Sequence, residues 1–263
     1  MNSFENQILY DMCENNIKHD NERIVKGKML LIGRTYAASP ERRQGGKTEL
    51  EKTADKASKK NDTEEIKKAK KKAKEKVKDL RKGTDTDFFD EVSAIIVKNK
   101  NAGAELDKEI ENLENKSYSY DDKNFDSDKE ILEKTVKLIE FFNDMVKYAS
   151  DQYNKAKYKE AKCPLEESER KAQNMISFAS KYLHFHLKQV IFINDKYSVE
   201  NGKRECSKEE KITIFKEEFK EPYKDCAEHA MRCYLIAKKL KEKGQPCSPR
   251  DVDNILMKRE LTT

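Results

Sequence analysis

Lys181 and Asp195 are the two side chains in this sequence best placed to do chemistry. A lysine becomes a nucleophile when burial or neighbouring cations lower its pKa. A carboxylate stabilises positive charge that develops beside it, and does so more strongly where water is excluded. Both residues lie in the stretch 175–197, MISFASKYLHFHLKQVIFINDKY, where the apolar density of the chain is highest. Asp195 follows the apolar run Val190-Ile191-Phe192-Ile193, a place where an acid either caps a helix or acts chemically.

The elements that must position this pair are legible from periodicity. A helix from Met175 to about Val190, stepping 100° per residue, gathers Met175, Phe178, Ala179, Tyr182, Leu183, Phe185, His186 and Val190 into one stripe. Ser177, Ser180, Lys181, His184 and Lys188 fall on the other face, which on the ordinary reading is the solvated edge of a core-packed helix. Ile191-Phe192-Ile193-Asn194-Asp195 leaves the helical period. The segment after it reaches Gly202, a glycine stop signal, which makes Asp195 an expected N-cap. Lys181 therefore belongs to one helix and Asp195 to the start of the next.

Ser180-Lys181-Tyr182-Leu183-His184-Phe185, followed by Phe192-Ile193-Asn194-Asp195, resembles the signature of helix-hairpin-helix DNA glycosylases, the superfamily of 8-oxoguanine DNA glycosylase. It is more similar to a bacterial subgroup with an 8-oxoguanine-glycosylase-like fold, some of whose members are linked to phage defence. The chain departs from the pattern at Ile193, where proline is usual, and at Ser177 and Ala179, which stand where the hairpin glycines let amides approach a DNA phosphate. The stretch Gly33-Arg34-Thr35-Tyr36-Ala37-Ala38, residues 223–229 and Asp253-Asn254-Ile255-Leu256 are shorter echoes of the same subgroup.

The resemblance implies an all-α, compact multi-helix bundle that removes a modified or damaged base from DNA; the spacing of the cysteines supplies no cluster pattern, so neither a cofactor nor a metal is expected. Asp195 would stabilise the oxocarbenium-like sugar, and Lys181 would attack the sugar carbon or position DNA. It also implies DNA contacts from Arg34, Arg42, Arg43, Ser177, Ser180, His184 and Lys188, and a base pocket that includes Tyr36 and Tyr197. A flipped base needs aromatic surface to lie against; Tyr182 and Phe185 are further aromatics nearby. On the residues alone, Arg34 reaches a phosphate or pairs with an acid across a cleft.

Charge is distributed unevenly. The 263 residues are 40% charged and 36% hydrophobic with a net charge of +5, lean in apolar content but enough for one sizeable helical core. Residues 47–82 hold fifteen basic and eight acidic side chains, so this stretch carries +7 and the remainder −2. Its Lys, Glu and Ala content favours helix. It reads either as an electrostatic hook for nucleic acid or as a solvated insertion. The expected organisation is N-terminal core helices over 1–46, a Lys-rich helical insertion over 47–82, and a helical core over 83–263 that contains the motif at 175–197. Helices are expected at 4–19, 22–43, 84–99, 103–116, 128–160, 207–219, 222–243 and 248–259.

The six cysteines follow no regular framework and read as reduced thiols. Cys226, His229 and Cys233 share a helical face, the geometry of a partial zinc site or of a packed helix. No apolar run approaches a membrane span and the first residues lack a signal pattern, so a monomeric cytoplasmic protein is expected. Two other function classes stand beside the glycosylase reading. One is a non-catalytic helical nucleic-acid-binding protein with a degenerate site. The other, a helical toxin ribonuclease, requires an arginine four to six residues before a histidine, and no arginine here has one.

Overall fold

Apolar stripes at helical spacing bury themselves only by packing helix on helix. The structure, a computed structural model, describes residues 4–35, 64, 68, 85–160, 174–206 and 209–257, and its described elements are all helical. They are α1 (Phe4–Asn15), α2 (Glu22–Thr35), α3 (Asp85–Lys98), α4 (Lys100–Glu114), a 3-10 turn (Asp122–Asn124), α5 (Phe125–Glu160), α6 (Ile176–His186), α7 (Lys196–Glu205), α8 (Glu210–Glu217), α9 (Lys224–Glu242) and α10 (Pro249–Leu256). Of the Lys-rich stretch only Glu64 and Lys68 are described, both helical, so its expected DNA role falls outside the described residues. No helix among the described residues is long and apolar enough to cross a membrane.

The long helix α5 packs against α3, α4, α6 and α9, whereas α6 packs against α1, α2 and α5. The C-terminal helices form their own set, α7 and α8 on α9 and α10 on α7 and α9. One apolar core runs through all of it, from Leu9 and Met29 through Phe88, Phe142 and Tyr182 to Met231 and Leu256. Helix α5 carries Ile131, Thr135, Leu138, Phe142, Met145, Ala149 and Tyr153 at helical spacing; Ile131 and Met145 are partly buried against the core and the other five are interior.

Local signals explain several boundaries. Ser248 caps α10 through Asp251 N–H while the Asp251 carboxylate accepts from Ser248 N–H, with Pro249 in the first turn, where its missing N–H costs nothing. Helix α9 stops at Gly244, whose φ of 67° lets Gln245 N–H reach Leu240 O and Gly244 N–H reach Lys241 O. Three expectations are corrected. Pro222 precedes α9, which begins at Lys224. Helix α6 ends at His186, and the chain turns there. Gly202 stops nothing, because α7 continues to Glu205; a Cβ there would stand 3.4 Å from His229 Nδ1, so the glycine serves close packing.

Candidate active site at the junction of α6 and α7

Irregular chain is rarely buried, because its amides and carbonyls need partners. Residues 187–195 are such a chain: Leu187, Val190, Ile191, Phe192 and Ile193 are all buried. Each buried apolar side chain favours this placement by roughly 1.5–3 kcal/mol, provided the backbone is satisfied. Side chains from three directions satisfy it. Tyr118 O–H donates to Val190 O at 2.8 Å, His184 Nδ1–H to Ile191 O at 2.8 Å, and His229 Nε2–H to Ile193 O at 3.1 Å. Ser180 Oγ accepts from Asn194 N–H at 2.9 Å and donates to Ser177 O at 3.2 Å. The start of α6 is tied in the same way, by Asn143 Oδ1 of α5 accepting from Met175 N–H at 2.8 Å.

This bracing brings the two chemical residues together. Lys181 Nζ lies 3.3 Å from Asp195 Oδ2, with 7% and 15% of the two side chains exposed. Asp195 is also the N-cap of α7, its Oδ1 accepting from Ser198 N–H at 2.9 Å. The cap holds one carboxylate oxygen and aims the other at the ammonium. The pair sits just beneath the surface, and Tyr197, two residues beyond Asp195 in the first turn of α7, is 65% exposed. Such an arrangement offers a fixed anion for a cationic centre and an amine whose proton the carboxylate can hold.

The remaining residues singled out in the sequence have mixed fates. Ser180 and His184 are interior, which corrects their expected roles as DNA contacts and the solvated edge drawn through them. Ser180 spends its hydroxyl on Asn194 and Ser177. His184, holding its proton on Nδ1 for the Ile191 carbonyl, accepts from Tyr10 O–H through Nε2 at 2.8 Å. Burial pushes its pKa down to about 4, so the ring is neutral. Ser177 is half-buried in the first turn of α6, and the Ala179 amide is already bonded to Met175 O, leaving it closed to a phosphate. Lys188 is exposed, 5.5 Å above the Tyr10 ring and ion-paired with Glu14 of α1. Tyr182 and Phe185 are core; Tyr182 stacks on Phe142 at 4.4 Å. Arg34 lies near the end of α2, its side chain outside the described set, as are Tyr36, Arg42 and Arg43 entirely.

Cys226, His229 and Cys233 are buried together in α9, and among the described residues no group of three or more His, Cys, Asp or Glu is arranged to hold a metal ion. Burial pushes the Cys13 and Cys226 thiols up to about 12, which makes them packing residues rather than nucleophiles. Sequence reasoning missed Tyr118, Asn143 and Ser198 as parts of the site's frame, and it reads His229 as part of a packed helical face or a partial zinc site, not as a brace of this connection. The one available signal was the apolar run 190–193, whose burial demands backbone partners without naming them. No family model, curated protein or solved structure matches this chain.

Proposed function

We propose that this protein is a DNA glycosylase that removes a modified or damaged base by cleaving its N-glycosidic bond, in DNA repair or phage defence. The observation that carries the reading is the 3.3 Å approach of Lys181 Nζ to a capped Asp195 carboxylate at a surface-proximal junction. As the bond from C1′ to the base nitrogen breaks, the base leaves with the electron pair and takes up a proton. The sugar left behind is cationic, and Asp195 stabilises it. Water then adds to C1′ and loses a proton, giving an abasic site. In the lyase variant, Lys181 first passes its proton to the departing base, and its free amine adds to C1′ instead of water.

The test is incubation with duplexes bearing candidate modified bases, scoring abasic sites and borohydride-trapped adducts. Asp195→Asn is the informative variant, because Asn still caps α7 but carries no charge. Excision should fall by about 100-fold or more, the size of effect expected when a stabilising group facing transition-state charge is removed. Trapping should vanish in Lys181→Gln. Undiminished excision by Asp195→Asn sinks the mechanism. Tight DNA binding without excision by the wild type would favour the non-catalytic reading, in which the pair only ties α6 to α7.

A further inference from the structure

His229 is a fully interior histidine outside the Lys181–Asp195 pair, and its contacts are unusual. Its Nε2 lies 3.1 Å from Ile193 O and 3.2 Å from Ser198 Oγ. Ile193 stands two residues before Asp195, and Ser198 is the residue whose amide Asp195 caps. A carbonyl only accepts, so Nε2 carries the proton and grips both arms of the chain that flank the carboxylate. Gly202 of α7 closes on the Nδ1 edge of the ring, where even a Cβ would stand at 3.4 Å, and Cys233 Sγ lies 3.4 Å from Nε2. His229 is therefore pinned on α9 while the connection and the start of α7 are pinned to it.

We propose that His229 is a positioning residue: it fixes the chain on both sides of Asp195 and so holds the carboxylate oxygen against Lys181. The catalytic part of this proposal rests on the glycosylase reading, whereas the geometric part does not. Ser180 restrains the same loop from α6. Only His229 among these braces reaches past Asp195 to the α7 side.

The experiment compares wild type with His229→Gln, whose side-chain amide can present an N–H near the Nε2 position, and His229→Leu, which cannot. Two readouts are taken: hydrogen exchange of the Ser198 amide, and kcat and KM for excision. In His229→Leu the Ser198 amide should exchange about tenfold faster or more, as a loosened N-cap allows. Its kcat should fall by about 100-fold with KM for DNA unchanged, since a shift of about an ångström at a reacting group has that effect. His229→Gln should restore both. Wild-type exchange at Ser198 in a folded His229→Leu overturns the proposal, as does an equal loss in both variants. If His229→Leu does not fold, Ser198→Ala takes its place, since it removes only the hydroxyl; unchanged kcat in that variant with Ile193 carbonyl contact intact overturns the two-armed grip. If wild type excises no base, the glycosylase reading fails, and the exchange arm still decides whether His229 positions Asp195.

Discussion

Acid should unfold this protein through its histidines. His19, His184, His186 and His229 are all buried, and burial holds each imidazole below its usual pKa of 6.5. His184 and His229 are lowered to about 4, and neither is hydrogen-bonded to a carboxylate. Each already donates one N–H to a backbone carbonyl; a second proton on His184 would face the Tyr10 hydroxyl that now donates to it. In the unfolded chain both rings titrate near the ordinary value. Their contribution is thus complete above about pH 6.5 and is lost as pH falls toward 4, because over that window the unfolded state binds more protons. A displacement of this size is worth about 3 kcal/mol per histidine when fully expressed, and about 2 kcal/mol of it is gone by pH 5. Two such residues remove about 4 kcal/mol by pH 5, a large share of the 5–15 kcal/mol typical of a folded protein. His186, which faces Lys28 and His19, adds to the loss. His19 has Asp107 at 2.6 Å, and there burial and Lys28 oppose the carboxylate. Urea unfolding in half-unit steps from pH 7.5 to 4.5 measures the effect, and His184→Asn should flatten the slope near pH 5 by about 1 kcal/mol per pH unit. A midpoint that stays constant from pH 7 to pH 5 refutes the reasoning.

Two further perturbations follow from the interior. Lys28 is buried completely, donates to Asn16 O, lies 3.4 Å from His186 Nε2, and has its pKa lowered to about 8 by burial, so its charge opposes folding at neutral pH. Lys28→Met should therefore stabilise the fold by about 1–3 kcal/mol, read as a higher urea midpoint at pH 7; a lower midpoint contradicts this account. Asp128 accepts from Ser119 N–H, Ser119 O–H, Tyr120 N–H and Tyr234 O–H, all within 3.0 Å, and so shapes the loop that carries Tyr118 to Val190 O. Asp128→Ala strands these donors and should cost about 3–5 kcal/mol, with faster exchange across 187–195. A loss under 1 kcal/mol would show that the loop finds other partners.

The helices were legible because their causes are local. Asp195 as an N-cap and the helices expected at 128–160, 222–243 and 248–259 all follow from neighbours within a few residues, and α5, α9 and α10 stand within a few residues of those bounds. The two faces of α6 were also legible as patterns, but not which of them meets water. Both are buried, since the partners of the polar face come from far along the chain: Tyr10 for His184, and the connection at Asn194 for Ser180. Periodicity carries no information about a residue 174 positions away. Gly202 shows the same limit in reverse, a stop signal locally and a close approach to His229 once α9 is packed. The sequence by itself determined that a lysine on one helix precedes an aspartate capping the next. Only tertiary structure decided that they meet at 3.3 Å, because that distance depends on a buried loop whose carbonyls are held by side chains from α6, α9 and the segment before α5.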